Sequence, residues 1–248
     1  MDGGPDEGSM DGCSSADLRL LMLEGHISRA FDGALAALHI RVVEMGGLVM
    51  DQVREAAAAY TDWQVGPAEH VLEREREVNE YNARLSEEQL TLIARRQPVA
   101  SDLRAILAMS KVVAELERAG DEAKKIARTV LAQGSRPGPA TSRDVRHLAQ
   151  LAVSLLRSAL ESFDRLDGPL ALEVIARDKE LDAEYAAGLR RLMTRAMEDP
   201  RQVSVALEAA FALKSLERIG DHARNLARQV QSMGGNSQPL PETAMTSG

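Results

Sequence analysis

The chain has 248 residues, of which 44% are hydrophobic and 27% are charged, so it is long enough to bury one large hydrophobic core or two small ones. Only 3% are aromatic, and the apolar residues are mostly of types that helices accommodate, which argues against an all-β fold. The formal net charge of −8 argues against a nucleic-acid-binding protein, because such proteins need a basic surface to displace counterions from phosphates.

The N-terminal segment is rich in glycine, serine and acidic residues, and we predict that residues 1–15 are a disordered leader. Its charge is opposite to that of a signal peptide. The single cysteine, Cys13, supports neither an intrachain disulfide nor a cysteine-based zinc site. No stretch approaches the roughly 18 uncharged apolar residues that a membrane span needs. These features indicate a cytoplasmic protein that reaches the inner membrane only peripherally, through partners.

Apolar residues at helical spacing predict six long helices along the chain. We expect them over roughly 17–60, 68–95, 99–132, 142–166, 170–198 and 201–232. A stretch rich in proline, glycine and serine lies between the third and the fourth of these helices and is typical of a linker. The predicted units are therefore a repeat at 16–135, a linker at 136–141, a repeat at 142–232 and a disordered tail at 233–248.

The second half of the chain repeats the first. LERAGDEAKKIAR (116–128) and LERIGDHARNLAR (216–228) are identical at eight of thirteen positions and lie one hundred residues apart. Upstream, REREVNEYN (74–82) corresponds to RDKELDAEY (177–185). Long helices bury their apolar stripes side by side. We therefore predict an all-α fold of two tandem antiparallel three-helix bundles related by internal duplication.

Each half places oxygen-bearing side chains four residues apart, on one face of a helix. Like charges at this spacing repel, so a cation must offset them. If the second and third helices of each half pack antiparallel, the oxygens gather in a cluster that suits Mg²⁺, Mn²⁺, Ca²⁺ or iron. The alternative is that neighbouring arginines neutralise the carboxylates, with Arg74, Arg118, Arg177 and Arg218 as candidates. Gly120 and Gly220, each just before an Asp, leave room for a close helix or a crowded ion.

The two LERxGD segments, together with RRQPVASDLRAI (95–106), resemble the PhoU family of phosphate-signalling proteins over roughly residues 17–232. The resemblance implies tandem three-helix bundles, usually dimeric, that carry clusters of divalent or ferric ions (iron, zinc, magnesium or manganese) on E/D-x-x-x-D motifs. Asn79 is a departure from that pattern, because a neutral amide leaves the N-terminal cluster one charge poorer. Carried over by motif, the ligands are Glu75, Asn79, Glu117 and Asp121 in the first half, and Asp178, Asp182, Glu217 and Asp221 in the second.

The function that this resemblance implies is regulation without catalysis. Proteins similar to this one restrain the phosphate ABC transporter and hold a sensor histidine kinase in its non-signalling state when phosphate is plentiful. The implied partners are the ATPase subunit of the transporter, the kinase and a second copy of the chain. Such coupling requires only a difference in affinity between two states of a partner.

Three other hypotheses stay open from the residues alone. One is a metal-free helical adaptor with other clients. A second is a ferritin-like di-metal oxidase, although that chemistry needs Glu-x-x-His pairs and none of the five histidines has Glu three residues before it. The third is a phosphotransfer module that uses His39 or His147, which are more simply surface or packing residues.

Overall fold

The computed structural model describes residues 29–96, 98 and 100–233, which are helical almost throughout. The predicted leader, the first part of the first predicted helix and residues 234–248 of the predicted tail lie outside the described residues. Six long helices, with a short 3₁₀ turn at Pro200–Gln202, follow in chain order. They are α1 (Arg29–Asp62), α2 (Val65–Arg96), α3 (Ala100–Leu131), α4 (Pro139–Arg165), α5 (Gly168–Glu198) and α6 (Val203–Met233).

The helix boundaries follow local capping chemistry. α4 begins at Pro139, inside the segment predicted as linker, because proline in the first turn of a helix loses no hydrogen bond. At the start of α5, the Asp167 carboxylate accepts a hydrogen bond from the Leu170 N–H at 2.9 Å. α1 and α4 each end just before a residue with a left-handed backbone, Trp63 (φ 57°) and Leu166 (φ 53°). The two halves therefore end their first helices in the same way.

Consecutive helices of each half run antiparallel and all three pack together, and the halves then pack on each other through α1 with α4 and through α3 with α6. Ser142 on α4 donates to the Thr61 carbonyl near the end of α1 at 3.1 Å, so these two helices also run antiparallel. α3 and α6 do the same, because Glu115 pairs with His222 and Glu122 with Arg218. The predicted fold class, two antiparallel three-helix bundles, is confirmed.

One helix of the described part, Phe31–Asp62, is long and apolar enough to cross a membrane by length and composition. Charged residues such as Arg41 and Glu44 interrupt its apolar sequence. In this fold the helix supplies core side chains, and Met45 and Val53 are fully buried. Core helices of globular proteins meet the same criterion, so the feature is weak support for a membrane span.

Gly46 and Gly47 lie side by side in α1 but have opposite surroundings. A Cβ at Gly46 would lie 2.5 Å from Cδ1 and 2.6 Å from Cδ2 of Leu160 on α4, which is closer than atoms can approach. A Cβ at Gly47 would meet no atom within 4 Å. Gly46 therefore permits the close packing of the two halves, whereas no such contact requires Gly47.

We predict opposite effects of alanine at these two positions. Gly46→Ala should lower the free energy of unfolding by about 1 kcal/mol or more, because Leu160 must move in a packed interface. Gly47→Ala should raise it by about 1 kcal/mol, because alanine favours a helix interior over glycine. Urea denaturation of both variants measures the difference. A stabilising Gly46→Ala would show that the contact with Leu160 does not limit this interface.

Candidate functional site

The N-terminal cluster comprises Glu75 and Asn79 on α2 with Glu117 and Asp121 on α3. The Glu75 side chain is only 4% exposed and receives three donors. Gln52 Nε2 donates to Oε2 at 2.8 Å, while Lys124 Nζ at 3.0 Å and Asn79 Nδ2 at 3.3 Å donate to Oε1. Lys124 Nζ also donates to Asp121 Oδ1 at 2.5 Å, so it joins carboxylates of two helices.

Electrostatics agree with this pairing. Burial alone would lower the pKa of Lys124, but its hydrogen bonds to Asp121 and Glu75 outweigh burial and raise it. Burial, and then the charges of Asp121 and Glu75, raise the pKa of Glu117. One lysine therefore stabilises two of the three carboxylates, and the third keeps unfavourable negative neighbours.

The C-terminal cluster comprises Asp178 and Asp182 on α5 with Glu217 and Asp221 on α6. Arg224 donates from Nη1 to Asp178 Oδ2 and lies 2.6 Å from Asp221 Oδ1 through Nη2. Glu217 pairs with Lys214 at 2.6 Å, on its own helix. Arg224 therefore has the same role as Lys124, one hundred residues later.

The C-terminal cluster keeps an excess of negative charge. Burial, and then the charges of Glu217 and Asp221, raise the pKa of Asp182. Burial also raises the pKa of Asp178, against the lowering effect of its hydrogen bond with Arg224. Within the described residues, Asp178 Oδ1 is buried and has no hydrogen-bond partner. Four carboxylates here face two cations.

The glycines of the LERxGD segments admit the neighbouring helices. A Cβ at Gly120 would lie 2.9 Å from Gln52 Oε1 and 3.2 Å from Glu75 Oε2. A Cβ at Gly220 would lie 2.9 Å from Leu181 Cδ2. The expectation that a small residue lets a helix come close therefore holds in both halves.

The four arginines named as alternative partners of the carboxylates have other ion pairs. The structure pairs Arg74 with Glu55, Arg118 with Glu115, Arg177 with Glu173 and Arg218 with Glu122. Sequence reasoning missed Lys214, the buried Gln52 and the two cations that join the helices of a cluster, Lys124 and Arg224. The signal that identifies both cations is their position three residues after the Asp in each repeat, since such residues are neighbours on a helix surface.

Metal ligation was the prediction for these eight residues, and their oxygens are chemically suited to hard cations. In the described ranges, however, the structure brings together no group of three or more His, Cys, Asp and Glu residues that could hold a metal ion. Lys124 and Arg224 instead contact carboxylates on both helices of their clusters. In this arrangement the residues do not fit a metal ion, and the metal cluster stays a prediction.

The two clusters border one cleft between the halves. Asp121 and Asp221 both line it, together with basic residues such as Arg118 and Arg218, and its volume is about 390 Å³. The cleft lies where the two LERxGD segments cross in antiparallel α3 and α6. Internal duplication therefore brings the two clusters together on one surface.

Comparison with known proteins identifies the family of this chain. A model described as "PhoU domain" matches residues 42–130 and 145–230, which include all eight predicted ligands. The chain belongs to the PhoU family. It is 44% identical over 211 residues to the Phosphate-specific transport system accessory protein PhoU homolog of Pseudomonas putida, covering 84% of this chain and 82% of that protein. It is 37% identical over 210 residues to the Escherichia coli K12 protein PhoU, covering 85% and 87%.

Solved structures of PhoU proteins have the same fold. The crystal structure of PhoU from Pseudomonas aeruginosa is similar with a TM-score of 0.78 and 42% identity, over 83% of this chain and 99% of that one. The PhoU regulatory protein from Streptococcus pneumoniae has a TM-score of 0.77 at 22% identity, over 85% and 100% of the chains, and supports the fold alone. The PhoU resemblance predicted from the two LERxGD segments is confirmed.

We predict that the surplus charge of the C-terminal cluster is measurable. Asp182→Asn gives this cluster the amide that the N-terminal cluster has at Asn79, so it should raise the free energy of unfolding at neutral pH. We expect about 0.3 kcal/mol, because Asp182 is exposed and solvent screens the repulsion. The gain should disappear as the pH falls below the raised pKa of Asp182, where the wild-type carboxyl is also neutral.

Chemical denaturation in the presence of a chelator measures this effect without bound metal. The opposite variant is Asn79→Asp, which adds a charge to the N-terminal cluster and also removes the hydrogen bond that Asn79 donates to Glu75, so it should lower the stability by more than Asp182→Asn raises it. Equal stability of Asp182→Asn and wild type at neutral pH would mean that Arg224 and Lys214 already balance the cluster.

Proposed function

We propose that this chain is a negative regulator of phosphate uptake and of the phosphate-starvation two-component response. It acts by contact with the ATPase subunit of a phosphate ABC transporter and with a phosphate-sensing histidine kinase. The observation that carries this proposal is the likeness, over most of the chain, to accessory proteins of the phosphate-specific transport system.

Regulation by contact needs a rigid surface rather than an active site. A helical protein of this kind changes a partner only if it binds one state of that partner more tightly than another. The packed halves and their shared core provide such rigidity, since α1, α3, α4 and α6 form one continuous hydrophobic cluster across the halves. No step of this proposal requires the chain to be an enzyme.

An apolar surface at one end of the molecule suits partner binding. α5 and α6 meet at the 3₁₀ turn Pro200–Gln202, and five large apolar side chains near this turn are 44–84% exposed. Exposed apolar groups of this kind mark protein contact sites when they lie together. The five residues are Met193, Met197, Val203, Leu207 and Phe211. We name them the hairpin-end patch and propose that this patch binds the transporter's ATPase subunit.

We predict that Phe211→Ser weakens binding of the ATPase subunit by about tenfold or more, because buried aromatic anchors contribute most to interface energy. Phe211 is 64% exposed, so the substitution should leave the fold intact. Affinity for the purified ATPase subunit, measured by surface plasmon resonance, gives the result. In cells lacking the native chain, this variant should also fail to repress the phosphate-starvation response under plentiful phosphate.

Leu172→Ser is the matched control, since Leu172 is 56% exposed on the same helix pair but lies near the other end of α5. This variant should bind like wild type. Equal binding by both variants would remove the hairpin-end patch as the contact surface. Absence of binding by the wild type to both the ATPase subunit and the kinase would favour an adaptor with other clients.

We also propose that the chain forms a homodimer in the cytoplasm and reaches the membrane only through the transporter. The relatives' description as accessory proteins of a transport system supports the association with the transporter, and the dimer is what the resemblance to the PhoU family implies. Sedimentation equilibrium of the wild type tests the dimer. The same measurement on Phe211→Ser tests whether the hairpin-end patch takes part in it. If that variant converts a dimer to a monomer, the hairpin-end patch joins two copies of this chain instead of binding the transporter.

A further inference from the structure

We propose that Lys124 and Arg224 are internal counterions, which offset part of the negative charge of the two carboxylate clusters and thereby compete with divalent cations for them. This inference concerns the chain's own stability and ion binding, and it does not depend on the identity of any partner protein.

The first observation is the position of Lys124 between two helices. Its ammonium contacts Glu75 Oε1 on α2 and Asp121 Oδ1 on its own helix, at 3.0 and 2.5 Å. The Glu75 side chain is 4% exposed and that of Lys124 is 20% exposed, so water screens this pair weakly. Both carboxylates are among the predicted ligands, so a divalent ion that used them would compete with the ammonium of Lys124.

The second observation is that in the other half a different cation joins carboxylates of two helices. Arg224 joins Asp178 on α5 to Asp221 on α6, and the Asp178 side chain is also 4% exposed. Lys124 and Arg224 are one hundred residues apart, at matching positions of the two repeats. Two chemically different cations therefore occupy equivalent positions, which indicates that a positive charge is required there.

The third observation is the chemistry of the acidic partners. A buried carboxylate without a cation is strongly destabilising. Glu75 keeps Gln52 as a neutral donor, whereas Asp178 already has one buried oxygen without a hydrogen-bond partner among the described residues. Removal of either cation would leave a buried negative charge that only a proton or an external cation can balance. The clusters should then become metal-dependent.

The test uses the full chain with Lys124→Met, which removes the charge and retains a long side chain. Lys125→Met is the control, because Lys125 is the next residue, is 53% exposed and pairs instead with Glu122. Each protein is treated with a chelator and desalted. Mn²⁺ binding is then measured by isothermal titration calorimetry, and thermal unfolding is followed with and without Mn²⁺.

We expect Lys124→Met to unfold at a lower temperature than wild type without metal, and Mn²⁺ to restore at least part of that loss. Its Mn²⁺ affinity should exceed that of wild type by at least about tenfold, which is a factor that a single competing charge readily produces. Lys125→Met should bind Mn²⁺ like wild type. Arg224→Met should reproduce the behaviour of Lys124→Met in the second cluster, with the exposed Arg228→Met as its control.

Unchanged Mn²⁺ affinity in both Lys124→Met and Arg224→Met would overturn the proposal, as would loss of stability that Mn²⁺ does not restore at all. If Lys124→Met does not fold without metal, refolding in the presence of Mn²⁺ tests whether the missing positive charge is the cause. Recovery of helical circular dichroism with Mn²⁺ supports an internal counterion, and failure to recover with Mn²⁺ in both Lys124→Met and Lys124→Gln contradicts it.

Discussion

Two buried carboxylates, Glu75 and Asp178, determine how each half of this PhoU-family chain holds together. Both sit where the second helix of a half meets the third, with 4% of the side chain exposed. A charge in that position requires an opposite charge from a neighbouring helix. Lys124 and Arg224 provide it, and the same two side chains also balance Asp121 and Asp221. The glycines at 120 and 220 complete the arrangement, because they let the second helices of the halves come close enough.

Duplication produces this arrangement twice, and the antiparallel packing of the halves brings the two copies together. α3 crosses α6 at the LERxGD segments, where Glu115 pairs with His222 and Glu122 with Arg218. Hydrogen bonds from His222 and Asn225, together with the positive charges of His222 and Arg118, outweigh burial and lower the pKa of Glu115. The contact between the halves is therefore polar around the clusters and apolar at Gly46 and Leu160, with a further hydrogen bond from Ser142 to Thr61 near the end of α1. The polar part orients the halves, and the apolar part stabilises them.

The sequence was sufficient for the helices, the duplication and the family, but not for the charge pairing of the clusters. Apolar spacing and proline positions report local structure, which is why five of the predicted helices lie close to their observed positions. The partner of a carboxylate depends on the direction of long side chains across a helix interface. Arg118 and Arg218 are adjacent to predicted ligands in sequence yet point to Glu115 and Glu122. Neighbours in sequence are on different faces of a helix, whereas residues three apart share one.

The hairpin-end patch has a counterpart in the first repeat, and the two differ most at Phe211. Phe211 corresponds to Lys111 in the first repeat, and both side chains are exposed. Met197 corresponds likewise to Ala94, a much smaller side chain. Because the halves are antiparallel, these matching positions lie at opposite ends of the molecule. Both poles therefore expose apolar side chains, because Leu90 and Leu107 match Met193 and Leu207 and are 69% and 49% exposed, and a partner distinguishes the poles by the aromatic ring of Phe211 at one and the ammonium of Lys111 at the other.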